Sequence, residues 1–240
     1  MRILITNDDS ISAPVLPHLA AWAQKLGEVT VVVPKVEQSG KSHGIELHKA
    51  FEVKQVALIP GVEAYTVDST PADCIRYAVL GMHRRFDLVI SGINKGMNIG
   101  LDMIYSGTVG AIFEAAALGI PAIALSTDPK DFHPALEQLD LVHDFFVRHD
   151  LMSKCSLYNV NFPLEAKGIR ITRQGGPYYS DDFVPIGNDM YMPKGICVYE
   201  DRFDDSIDTD AALHGYISIS PVTLERTQLD VFHQLEYLNN

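Results

Sequence analysis

Cysteine is scarce in this chain. Cys74, Cys155 and Cys197 are the full complement, odd in number, far apart and without C-x-x-C spacing, so a reducing compartment is the simplest reading. Positive charge is also short: 19 Lys and Arg face 31 Asp and Glu, a net charge of −12. That argues against a general nucleic-acid or acidic-membrane binder and against a stable nucleic-acid complex. Small anionic substrates stay open, because one local cation can invert the field at a site. Long apolar runs are missing as well. The longest, Ala115 to Leu125, carries Gly119 and Pro121 and is too short to span a bilayer. Asp8 and Asp9 interrupt the first apolar run, so no signal peptide is expected and the chain reads as cytoplasmic, with no membrane partner. No G-x-G-x-x-G follows the first strand, which sets aside a dinucleotide-dependent oxidoreductase.

What is present is 240 residues at 47% hydrophobic, enough for one large α/β domain with an appendage. Strand and helix signals alternate through the first two-thirds. Arg2–Thr6 reads as a buried strand; Leu16, Leu19, Ala20, Ala23 and Leu26 follow helical spacing, and Gly27 stops that helix. Strands are expected at Val29–Val33, Phe51–Val56, Tyr65–Val67, Asp87–Ser91, Pro121–Ser126 and Ser156–Asn161. Helices are expected at Pro71–Leu80, with Thr70 as its cap, at Val109–Leu118 and at Pro134–Arg148. Continuous apolar strands between helices predict a doubly wound, mostly parallel, Rossmann-like sheet covered on both faces. Such sheets gather ligands at the carboxyl ends of their strands.

From about Gly168 the pattern changes. Ile169–Arg173 and Tyr216–Ser220 read as strands, Gly175–Tyr179 as a turn or loop, Glu200–Asp210 as an exposed acidic loop, and Thr227–Leu238 as a terminal helix.

Oxygen-rich stretches fall where the strands end. Asn7-Asp8-Asp9-Ser10 follows the first strand; its two carboxylates either sit in a solvated turn with Asp9 or Ser10 as a helix cap, or share a divalent cation. Two residues beyond Asp8 stands Ser10 rather than an acid, so the D-x-D of aspartyl-nucleophile phosphatases is absent. Glu37–His43 is a polar loop in which Ser39 offers a hard oxygen ligand and His43 an orienting or acid–base group. Ser91–Gly100 is glycine-rich, with Asn94 as an amide oxygen for a cation and Asn98 as an amide donor for an anion. Ser106-Gly107-Thr108 opens a helix, where free N–H groups, the dipole and two hydroxyls favour phosphate; one hydroxyl can equally be a plain N-cap. Asp8, Asp9, Ser39 and Asn94 form an all-oxygen set suited to Mg²⁺ or Mn²⁺. A hard cation beside an anion cradle is the apparatus of phosphoryl chemistry.

The stretches ITNDD, EQSGKSH, VDSTPADC, DLVISGINKGMNIGLDMIYSGTVGA, LGIPAIALS, NVNFP and GYISISP, in this order, resemble the SurE family of metal-dependent nucleotidases over nearly the whole chain. The resemblance implies a 5′-nucleotidase, a phosphomonoesterase of nucleoside 5′- and 3′-monophosphates, with some members trimming short polyphosphate. It implies one divalent metal ion (Mg²⁺ or Mn²⁺) per subunit on Asp8, Asp9, Ser39 and Asn94, with Asp8 and Asp9 also catalytic. Phosphate-side residues fall on Asn98, Ser106, Gly107 and Thr108, and the loop histidine on His43. It further implies a catalytic core over 1–167 and a C-terminal hairpin and helix over 168–240 that exchange in a homodimer or homotetramer. The family usually carries Gly where this chain has Ser10 and Ser69; either Ser is strained by about 1 kcal/mol or more if its position needs a positive φ. Those departures are the support for an alternative, a catalytically weak nucleotide-binding or sensing protein that keeps the pocket.

Overall fold

The computed structural model describes residues 1–239. In chain order, β1 (Arg2–Thr6), α1 (Leu16–Ala23), β2 (Glu28–Pro34), β3 (Val53–Val56), β4 (Glu63–Val67), α2 (Pro71–Arg76), β5 (Leu88–Lys95), α3 (Gly107–Ala117) and β6 (Ala122–Thr127) come first. They are followed by α4 (His133–Glu137), α5 (Leu139–Arg148), α6 (Leu151–Lys154), β7 (Leu157–Phe162) and β8 (Ile169–Ile171). The chain then runs through β9 (Tyr179–Gly187), β10 (Met190–Cys197), α7 (Asp208–Leu213), β11 (Ile217–Pro221) and α8 (Leu229–Leu235).

A nine-stranded sheet has the order β3-β4-β2-β1-β5-β6-β7-β11-β8. The strands from β4 to β7 run parallel, while β3 is antiparallel to β4 and β11 to β7. β1 shows why both faces must be covered: Ile3 and Ile5 join a core with α1, α4 and α5, and Leu4 joins a second core with α2 and α3. All three are fully buried, so the strand reads as an unbroken apolar run rather than an alternating one. The expected doubly wound α/β architecture is the one observed.

Local sequence explains most element ends. Thr70 caps α2 by accepting from the Asp73 N–H at 3.2 Å, with Pro71 at the first helical position. Beyond Arg76 the expected helix continues only as a wider π-type turn, Tyr77–Gly81. The single helix expected over Pro134–Arg148 is divided at Gln138, whose ψ of −1° interrupts the ladder. Each half buries its own apolar residues, Ala135 in one and Leu139, Val142 and Phe146 in the other.

The largest correction concerns Glu200–Asp210, expected as an exposed loop. Asp208 opens α7, and Asp208 and Asp210 are both fully buried. Their burial is tolerated because backbone N–H groups saturate them. Asp208 accepts from Gly100, Gly175 and Thr209 at 2.7–2.9 Å, and Asp210 accepts from Arg202 and Asp204 at 3.0 Å and from the Tyr199 hydroxyl at 3.1 Å. One short helix therefore ties down both ends of the β9–β10 ribbon.

That ribbon turns at Asn188-Asp189, both with positive φ, as a two-residue hairpin requires. Every residue of β9, β10 and α8 is exposed. Among the described residues no helix is long and apolar enough to cross a membrane.

Candidate functional site

The carboxyl ends of β1 and β5, the loop after β2 and the start of α3 meet in a cleft of about 350 Å³. Asp8, Asp9, Ser39, Asn94, Asn98 and Ser106 all line it, together with Glu37, Gly40, Lys95, Asp102 and Tyr105. Lys95 is the one cationic side chain among these lining residues.

Asp8 follows β1 and is nearly buried against α3. A Cβ placed on Gly107 would lie 3.2 Å from Asp8 Oδ2, so a side chain there would crowd the carboxylate by a few tenths of an ångström. The Thr108 hydroxyl donates to Asp8 Oδ1 at 2.5 Å, and the Thr108 backbone adds to that hold. Burial outweighs these bonds and pushes the Asp8 carboxyl up to about 6, with the neighbouring Asp9 charge adding to the rise. Asp9 is held through Oδ2 by the Lys95 backbone N–H at 3.0 Å, and burial raises its carboxyl too. Two adjacent acids are thus driven from their charged forms, with no salt bridge to either among the described residues.

Asn94 reaches the cleft through a β-bulge. The β5–β6 register steps from Ser91↔Ala124 to Asn94↔Ser126, an insertion of one residue on β5. Gly92 sits in the bulge at φ +134°, where any Cβ would meet the Leu125 carbonyl oxygen at 2.2 Å. The Asn94 amide nitrogen donates to the Gly96 carbonyl at 2.8 Å, which leaves Oδ1 as its free acceptor. Ser39 donates its hydroxyl hydrogen to Glu37 at 2.6 Å and keeps its lone pairs.

A divalent cation fits this donor set. Two repelling, largely desolvated carboxylates with two neutral oxygens form an all-oxygen group of the kind hard cations take. No cluster of three or more His, Cys, Asp or Glu suited to a metal occurs among the described residues, which accords with a set that is half neutral.

The phosphate-side residues divide. Asn98 is stapled to the sheet: its N–H donates to Asn161 Oδ1 at 2.8 Å, its carbonyl accepts from Asn159 and Asn161, and its Nδ2 donates to Ser126. One amide hydrogen remains for a ligand. Ser106 lines the cleft and also caps α3, accepting from the Val109 N–H at 3.1 Å. Thr108 is fully buried with its hydroxyl on Asp8 rather than open to the cleft. His43 does not line the cleft: its Nε2 lies 2.7 Å from Glu114 on α3, which also accepts from Arg76 at 3.2 Å. The His43 hydrogen bond, with Arg76 beside it, holds the Glu114 carboxyl below the usual range.

Sequence reasoning missed Glu37, Gly40, Lys95, Asp102 and Tyr105 as lining residues. All lie inside quoted stretches, but nothing in their spacing distinguishes them. Asn159 and Asn161 carried a usable signal, because two Asn in an otherwise apolar strand must find buried partners.

Ser10 lies at φ +74°, the strained region, whereas Ser69 is not among the positive-φ residues and donates to Asp73 at 2.5 Å. Ser10→Gly is expected to stabilise the fold by about 1 kcal/mol. Urea unfolding measures this; an unchanged or lower midpoint contradicts it.

The profile described as Survival protein SurE matches residues 3–181. A protein of Alkaliphilus metalliredigens named 5′-nucleotidase SurE is 38% identical over 256 residues, covering 100% of this chain and 99% of its own. One of Thermus thermophilus, named 5′-nucleotidase SurE 1, is 40% identical over 240 residues, covering 95% and 93%. The crystal structure of the SurE protein of Aquifex aeolicus superposes with a TM-score of 0.81 at 30% identity, covering 100% of both chains. With the profile spanning most of its length and relatives matching it from end to end, the chain belongs to the SurE family.

Proposed function

We propose that this protein is a metal-dependent 5′-nucleotidase that hydrolyses nucleoside 5′- and 3′-monophosphates to nucleoside and phosphate. The observation that carries the reading is the meeting, in one cleft, of a hard-cation donor set with an anion cradle. The names of the relatives, 5′-nucleotidase SurE, supply the substrate class.

Asp8, Asp9, Ser39 and Asn94 would hold one divalent cation, Mg²⁺ or Mn²⁺, per subunit. When bound, the cation supplies Lewis-acid polarisation of a phosphoryl oxygen and acidifies water. Asn98, Ser106 and the Gly107 N–H seat the phosphate at the start of α3, where the helix dipole favours negative charge. Thr108 acts through Asp8, fixing the carboxylate's rotamer. One of the two aspartates accepts the proton of the attacking water. Lys95 offers the side-chain cation that offsets the developing phosphoryl charge. His43 stands behind the cleft and orders the Ser39–His43 loop against α3 through Glu114.

Release of inorganic phosphate from AMP with Mn²⁺, stopped by chelator and restored by added metal, is the expected result; release that persists in chelator overturns the metal dependence. The binding-protein alternative draws on the strained Ser10, and the absence of any phosphate release would favour it.

We also infer that residues 168–240 supply an arm for oligomerisation. Its ribbon and terminal helix expose Phe183, Ile186, Met190, Tyr191, Leu229, Phe232 and other large apolar residues. Patches of this kind mark association surfaces. Light scattering is expected to give a dimer or tetramer of the 26.5 kDa chain, and a monomer at micromolar concentration contradicts it.

A further inference from the structure

We propose that Tyr105 and the root of the β9–β10 ribbon form the seat for the nucleobase, which makes Tyr105 a specificity-determining residue. This rests on the nucleotidase reading above. Beside the cation and phosphate cleft lies an open hollow of about 530 Å³, lined by Gly40, Asp102, Tyr105, Tyr179, Asp181 and Gly195. The first three of these also line the cleft, so the two spaces adjoin at Tyr105, next to the phosphate-side Ser106.

The Tyr105 backbone is pinned while its ring is not covered. Its carbonyl accepts from the Ser42 N–H at 2.9 Å, and the next residue caps α3, yet the residue is 61% exposed. An uncovered aromatic ring on a fixed backbone is a stacking platform that needs little ordering when a flat ring lands on it. The opposite wall is attached to the same loop: the Tyr179 N–H donates to Asp102 Oδ2 at 2.9 Å. Asp102 and Asp181 put acidic groups around this hollow, and burial, with Asp181 nearby, pushes the Asp102 carboxyl up. Such walls accept hydrogen bonds from sugar hydroxyls and exocyclic amino groups while repelling a second phosphate. A neutral nucleoside suits them.

A competing hollow of about 540 Å³ adjoins the cleft on the other side, past Asp9, Glu37 and Lys95. Its aromatic ring, Phe132, is already stacked on His133 at 4.4 Å and packs against the α1 side of the core. That ring already has a stacking partner and is partly buried against the core.

The test compares AMP with ribose 5-phosphate, which lacks the base, using wild type, Tyr105→Ala and Tyr105→Phe. The expected result is that Tyr105→Ala lowers the ratio of kcat/KM for AMP over ribose 5-phosphate by about tenfold or more, mostly through KM for AMP. Tyr105→Phe keeps the wild-type ratio. An unchanged ratio in Tyr105→Ala overturns the base seat while leaving the nucleotidase reading intact, and a ratio that falls equally in Tyr105→Phe overturns stacking by the ring. A wild-type protein that releases phosphate from neither substrate overturns both readings. A ratio that falls in Phe132→Ala and not in Tyr105→Ala moves the base to the other hollow and overturns the proposal.

Discussion

Replacing Asp8 with asparagine is expected to lower phosphate release from AMP by about a thousandfold while making the metal-free protein more stable. The two effects have one cause. Asp8 is 5% exposed beside Asp9, with no cationic side chain bonded to either. A charge buried in this way costs the fold free energy until a counter-charge arrives. An amide removes the repulsion and keeps the shape, so stability in chelator rises by about 1–3 kcal/mol. It also removes a charged ligand from the cation site, and a loss of about 4 kcal/mol of transition-state stabilisation corresponds to about a thousandfold in rate. Activity assays with Mn²⁺ and thermal melts in chelator measure the pair. A variant that is both inactive and destabilised would instead mark Asp8 as a structural acid, and an active one would remove it from the site.

Asp208→Ala has the second largest expected effect, this time on the fold. The carboxylate accepts three backbone N–H groups, and two of them come from separate segments: Gly100, which leads into the Asp102–Ser106 loop of the cleft, and Gly175, at the root of the ribbon. Each donor left without a partner costs about 1–3 kcal/mol, so a total of at least about 3 kcal/mol is expected, equivalent to a drop in Tm of about 10 °C or more for a chain of this length. Asp208→Asn keeps one acceptor oxygen and should fall between the two. The contacts of Gly100 with the ribbon's root, including the Leu101 N–H on the Gly176 carbonyl at 3.0 Å, loosen at the same time. A melt within about 2 °C of wild type for Asp208→Ala would show that other contacts hold this junction.

The parallel core was legible because it obeys local rules. β1 is an apolar run, Thr70-Pro71 is a helix start, and Gly27 ends a helix region, each read without reference to distant residues. The same rules misread the acidic segment. Asp208 and Asp210 look solvated until the backbone N–H groups that bury them are known, and those donors lie as far as 108 residues away in sequence. The ribbon was expected only through the family resemblance, as a C-terminal hairpin; its own residues give a weak strand signal, because Pro185 and Pro193 sit in it and a two-stranded ribbon leaves edges that need no N–H. At the site, the ends of parallel strands placed Asp8, Asp9, Ser39 and Asn94 around one cleft, which fold class alone predicts. The roles of Thr108 and His43 were not legible, because a hydroxyl at a helix start and a loop histidine have several possible partners. Only the fold shows that they are engaged with Asp8 and Glu114. In Asn7-Asp8-Asp9-Ser10 the strain expected of a serine at a positive-φ position is present: Ser10 takes the left-handed φ.

The central claim is that one divalent cation sits on this oxygen set, and calorimetric titration with Mn²⁺ tests it most directly. Wild-type protein is expected to bind one ion per subunit, and Asp8→Asn, folded and more stable in chelator, to bind it far more weakly. Equal binding by the two proteins would contradict the assignment.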